Sequence, residues 1–210
     1  MATKSRISAG FTLIELLVVI CILAVLISLS VVATSVVLNT AHANSTEALL
    51  KELAVACASY SGRWGNFPPG SIEELGVRAP NDLNTGIESL VACLSSKKGG
   101  GTLFQKDNHL SNVDGDSVDR NPTDWYFATK ELCEYTDYFG NVIIYFHHKD
   151  YEKPRASLTQ YQFSAGGEEF KVLPELHPTT KTYANSGRFQ LRSVGRDGKP
   201  GTGDDLRLDY

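Results

Sequence analysis

Apolar residues fill positions 11–38 almost without a break, and the only ionisable side chains among them are Glu15 and Cys21. A helix needs roughly 20 apolar residues to cross a bilayer, so the run predicts a membrane-embedded helix. Behind it the pattern changes. Leu49, Leu53, Ala56 and Tyr60 recur at helical spacing with polar residues between them, as on a helix with one face on a core. No proline interrupts 11–67, so one long helix is predicted from Phe11 to about Ser61, ended by Gly62 and Gly65. Its first half is embedded and its second half amphipathic.

Polar and glycine-rich sequence dominates 71–124. Short helices are predicted at 71–75, where Ser71 and Glu74 have capping-box spacing, and at 84–94. Residues 95–101 and 108–122 read as polar, mobile connections. Strand patterns come late, strongest at 141–148, then at 160–164 and at 188–194, where Phe189 and Leu191 alternate with polar residues. Three successive strands joined by loops predict an antiparallel meander packed on the long helix, an α+β domain.

Glu15 stands out. A carboxylate at the centre of a membrane helix costs about 2.5–3.5 kcal/mol, and less near an end. No opposite charge lies within the run, so the partner has to come from elsewhere. Lys4 and Arg6 before the run and Ala41-His42-Ala43 after it also suit a secretory signal. Such signals have apolar stretches of about 7–15 residues, and this run is about twice that. A plain single-pass anchor, with Lys4 and Arg6 on the cytoplasmic side, explains the topology but gives Glu15 no role.

Gly10-Phe11-Thr12-Leu13-Ile14-Glu15-Leu16 resembles the processing site of type IV pilins and type II secretion pseudopilins. The resemblance implies a prepilin peptidase that cuts after Gly10, releases a 1–10 leader and methylates the new amino terminus at Phe11. It implies that Glu15 pairs with the terminal amine of a neighbouring subunit during filament assembly. It also implies a pilin-like fold, with a transmembrane and filament-core half-helix at 11–38. The extracytoplasmic domain would occupy 39–210 and carry a small antiparallel sheet. Asp137-Tyr138-Phe139-Gly140-Asn141 resembles the turn that opens this sheet in major pseudopilins, with Tyr138 where the family often has proline.

The segment 193–205 carries Asp197, Asp204 and Asp205 among Gly195, Gly198, Gly201 and Gly203. Calcium takes six to eight oxygen ligands, which carboxylates and turned-in carbonyls supply, and glycine permits the backbone angles that aim carbonyls inward. The spacing is not that of an EF-hand. The segment resembles the calcium loop of the major pseudopilins, which assigns ligand roles to Asp197, Asp204 and Asp205 and to the carbonyls of Val194 and Arg196. The ion would be structural. The plainer reading is a turn at Asp197-Gly198 and a solvated acidic tail. Asn112, Asp114, Asp116 and Asp119 offer a second set of oxygens but read as a solvated acidic loop.

The 210 residues leave room, beyond the anchor, for one modest domain. The formal net charge is −4, and the one basic pair beyond the leader, Lys97-Lys98, makes no surface for nucleic acid. Outside the cytoplasm disulfides persist. Cys57, Cys93 and Cys133 allow one pair at most, Cys57–Cys93 or Cys57–Cys133, while Cys21 serves as a small apolar residue. His147 and His148 are adjacent on a strand and so face opposite sides, and His42, His109 and His177 are isolated. Trp64, Trp125, Tyr126 and Phe127 suit a core or subunit contacts. No nucleophile motif, P-loop or dinucleotide fingerprint is present, and the chain reads as no enzyme.

The resemblance is strongest to the major pseudopilin of a type II secretion system. Such a subunit is stored in the bacterial inner membrane with its domain in the periplasm. An inner-membrane assembly platform polymerises it with its own copies and other pseudopilins. A minor pseudopilin, a type IV pilin and a tethered binding domain that does not polymerise are the rivals.

Overall fold

The computed structural model describes residues 11–95, 107–118 and 130–208, and of 29–33 and 107 the backbone alone. Helix α1 spans Leu13–Trp64. It passes through Gly62 and stops at Gly65, whose left-handed φ of 77° brings its N–H to the Ser61 carbonyl at 2.8 Å. The chain divides into two compact units, Met1–Ala41 and His42–Tyr210. In the first, Phe11, Leu13, Ile14, Val18 and Ile22 are all exposed, as are their apolar neighbours along the helix. Among the described residues no helix is long and apolar enough to cross a membrane. The span expected over 11–38 therefore stays a reading of the sequence, whose apolar run continues through 29–33.

In the second unit the expected stripe of α1 is buried at Leu49, Leu53 and Ala56, with Tyr60 at its edge. Leu50, Ala54 and Cys57 widen it to the broad apolar face that a core-facing helix needs. Helix α2, Thr85–Ser95, adds the buried Ile87, Leu90, Val91 and Leu94. The predicted helix at 71–75 is a single 3-10 turn, Ile72–Leu75. Ser71 caps it by accepting from Glu73 N, while Glu74 binds Arg155 at 2.6 Å instead of closing a capping box.

Seven short strands form three antiparallel groups. Strand β1 (Leu110–Ser111) pairs with β2 (Glu134–Tyr135). Strand β3 (Ile144–His147) pairs with β6 (Phe189–Ser193), which pairs with β7 (Leu206–Arg207). Strand β4 (Gln160–Gln162) pairs with β5 (Glu169–Lys171).

The meander is therefore corrected. The strand at 160–164 does not lie in sequence order between its neighbours. It folds into its own hairpin through Gly166 and Gly167, and leaves β6 free to pair with β3 along Ile144↔Arg192 to His147↔Phe189. All four residues of β3 are buried, as its unbroken apolar run rather than an alternating pattern leads one to expect. Gly86 lets α2 approach β3 closely, since a Cβ there would meet the Tyr145 carbonyl oxygen at 2.7 Å. Tyr145, Phe146, Tyr161 and Phe189 fill the space between helices and sheet.

Candidate functional site

Thr12 and Glu15 build the head of α1. The Thr12 carbonyl receives the first helical hydrogen bonds, from Glu15 N at 3.1 Å and Leu16 N at 3.2 Å. Glu15 N also donates to the Thr12 hydroxyl at 3.3 Å. In return Glu15 Oε2 accepts from Thr12 N at 2.8 Å and from Thr12 Oγ1 at 2.7 Å. This is a reciprocal capping box, which satisfies amide donors that a helix start leaves unpaired. It folds the carboxylate back over the positive end of the helix dipole, one residue from Phe11. Thr12 was not singled out from the sequence, although its T-x-x-E spacing ahead of an apolar run is a recognisable signal. Gly10, Lys4 and Arg6 lie outside the described residues.

The acidic carboxy-terminal loop is closed by its own carboxylates. Asp204 Oδ2 accepts from Arg196 N at 2.8 Å and Asp197 N at 3.1 Å, and Asp204 Oδ1 from Thr202 Oγ1 at 2.6 Å. The Thr202 hydroxyl and these amides hold the Asp204 carboxyl below the usual range. Asp205 Oδ2 accepts from Gly201 N at 2.8 Å, and Asp197 Oδ1 from Lys199 N at 2.8 Å. Gly195 permits the fold, with φ of 65° and the Asp204 carbonyl where a Cβ would stand. The donors are of the kind calcium takes, all oxygen. The arrangement does not gather them: among the described residues the three carboxylates form no metal-sized cluster. Each is committed to backbone amides of the loop.

The turn at Asp137 is joined to this loop. Asp137 Oδ1 accepts from Phe139 N and Asn141 N at 2.8 and 2.9 Å, and Ser193 Oγ donates to Asp137 Oδ2 at 2.5 Å. Asn141 Nδ2 donates to the Gly195 carbonyl at 2.7 Å.

No disulfide forms: Cys57, Cys93 and Cys133 are all free thiols. Burial, and after it the neighbouring Cys93, pushes the Cys57 thiol well up, and burial takes Cys93 to about 12. The expectation that His147 and His148 face opposite sides is corrected: β3 ends at His147, His148 opens a 3-10 turn, and the two ring centroids lie 4.2 Å apart. His147 Nε2 meets Asn66 Oδ1 at 3.3 Å, and His148 Nδ1 meets the Arg188 carbonyl at 2.9 Å. Trp64 is exposed, while Lys97, Lys98, Trp125, Tyr126, Phe127 and Asp119 lie outside the described residues. The solvated loop expected at Asn112, Asp114 and Asp116 is corrected, because Asp116 is buried and β1 precedes it.

Residues 5–31 match the family described as the prokaryotic N-terminal methylation motif. That motif is typical of type IV pilins and pseudopilins. It marks a structural subunit rather than an enzyme, one processed by a prepilin peptidase and assembled into filaments with other pilin-like subunits. No curated protein and no solved structure matches the chain.

Proposed function

We propose that this chain is a pseudopilin of a type II secretion system, of the major kind, stored in the inner membrane and polymerised through 11–38. One observation carries the reading: the head of α1 is apolar on every side and exposed, with a single carboxylate one turn in. A helix apolar all round needs a surrounding of like polarity. Lipid supplies it for the stored subunit and copies of the same helix supply it in a filament. In the filament Glu15 then meets a counter-charge from a neighbouring copy, the methylated amine of Phe11. The calcium role of Asp197, Asp204 and Asp205 belongs to the same proposal, supported by the resemblance and the all-oxygen donor set.

The mass of the amino-terminal peptide from the native membrane tests the pathway. A peptide beginning at methylated Phe11 is expected. A retained 1–10 leader, or a start after Ala43, sinks the reading.

A further inference from the structure

Glu88 lies in the first turn of α2 and is wholly enclosed, at 0 % exposure. Neither of its carboxylate oxygens has a hydrogen-bond partner, and neither has either oxygen of Asp116. A carboxylate taken out of water without a partner is among the costliest groups a fold can carry. An oxygen of Glu88 and one of Asp116 lie within 4.8 Å of each other, so these partnerless carboxylates call for an occupant.

The surroundings are built rather than accidental. One carboxylate oxygen each from Glu88, Asp114 and Asp116 lie within 4.8 Å of one another. The loop that delivers the two aspartates is shaped by Asn112, whose Oδ1 accepts from Gly115 N at 2.9 Å and Asp116 N at 3.1 Å. Its Nδ2 donates to the Asp116 carbonyl at 2.7 Å, and Gly115 takes a left-handed φ of 76°. Asn81 Nδ2 holds Asp114 Oδ2 at 3.1 Å. Glu134 stands behind, its own oxygens met by Asn84 Nδ2 at 3.2 Å and Val113 N at 2.9 Å.

The charges around Glu88 all have one sign. Burial, then Asp116, Glu134 and Asp114, drives its carboxyl well above the usual range. Burial and Asp114 push Asp116 up to about 7, and burial with Asp114 takes Glu134 to about 8. Among the described residues no lysine, arginine or histidine forms an ion pair with Glu88, Asp114 or Asp116. Such a cluster needs positive charge, as protons or as a metal ion.

We propose that Glu88, Asp114 and Asp116 bind a structural calcium ion, which staples α2 to the loop between β1 and β2. The donor set selects the metal. Three carboxylates without nitrogen or sulfur suit a hard cation and not zinc or copper. Cys133 is not part of the group whose ligand atoms lie within 4.8 Å of one another, which is carboxylate throughout. Magnesium keeps several waters in a near-octahedral shell, whereas calcium accepts irregular shells of protein oxygens, as an enclosed Glu88 requires. This site shares no residue with the loop at 193–205.

The test is calcium bound per chain, counted by equilibrium dialysis with radioactive calcium on the full chain in detergent at pH 7.5. Wild type, Glu88→Gln and Asp116→Asn are compared, so that one misfolded variant does not decide the matter. Each variant that retains the wild-type circular dichroism is expected to bind one ion fewer than wild type. Glu88→Gln is also expected to melt higher than wild type in EDTA, because the amide needs neither a proton nor an ion in the enclosed site, and to lose that advantage in calcium. Equal stoichiometry in wild type and both variants overturns the proposal. So does a wild-type melting temperature that ignores calcium but rises as pH falls from 8 to 5, since protons would then fill the cluster.

Discussion

Asn141 donates its Nδ2 to the carbonyl of Gly195 at 2.7 Å, and both groups are buried. This bond joins the turn before β3 to the loop after β6, two segments whose strands are neighbours in the sheet. Asn141→Ala leaves a buried carbonyl unpaired, which costs about 1–3 kcal/mol. Gly195→Ala is expected to cost more, because the new Cβ meets the Asp204 carbonyl oxygen at 2.2 Å at a φ unsuited to alanine. Urea unfolding of the full chain in detergent measures both. A Gly195→Ala chain as stable as wild type would refute the close approach.

The box at Thr12 and Glu15 separates two uses of one carboxylate. Thr12→Ala removes the cap alone and is expected to cost about 0.5–2 kcal/mol at the helix start. Amide exchange at Glu15 reads that loss as faster exchange. Glu15→Leu removes cap and charge together while making membrane insertion easier. Subunits carrying Glu15→Leu should accumulate in the membrane fraction and yield no filaments. Filaments at wild-type yield from Glu15→Leu would remove the inter-subunit role.

The elements legible in the sequence are those whose own side chains carry the pattern. Helix α1 is legible because Leu49, Leu53 and Ala56 repeat at its period, and β3 because an apolar run of that length lies between turns. Strands β1, β2 and β7 have two residues each, too few to show a period, and form only because a partner is nearby. Glu88 is the sharper lesson. In sequence it is one acidic residue in a short predicted helix, and nothing local marks it as enclosed in the fold. Thr12 is legible by its T-x-x-E spacing ahead of the apolar run.

His147 predicts acid sensitivity. Burial, with His148 and Lys149 beside it, lowers its imidazolium pKa to about 4, against about 6.5 unfolded. Between those values the unfolded chain binds more protons, so stability rises with pH across about 4 to 6.5 and is lost on acidification. The raised pKa values of Glu88, Asp116 and Glu134 act in the opposite sense, so the comparison is made with His147→Gln at each pH. Wild type should lose more of its melting temperature than His147→Gln between pH 7 and pH 5. Parallel curves would mean that the fold does not lower the His147 pKa.

Calcium at the carboxy-terminal loop is testable apart from the Glu88 cluster by working in the Glu88→Gln chain. An extracellular-type affinity of about 10⁻⁴–10⁻³ M gives about 1.4–2.7 kcal/mol of stabilisation at about 10 mM calcium. For a chain of this size that raises the melting temperature by roughly 3–10 °C. Asp204→Asn keeps an oxygen for the amides of Arg196 and Asp197 but loses the charge that these amides and the Thr202 hydroxyl stabilise, so it should melt somewhat below its parent in EDTA. It should then gain little from calcium. If Glu88→Gln itself shows no calcium response, the loop closes on its own amides and the resemblance at Asp197, Asp204 and Asp205 does not extend to the ion.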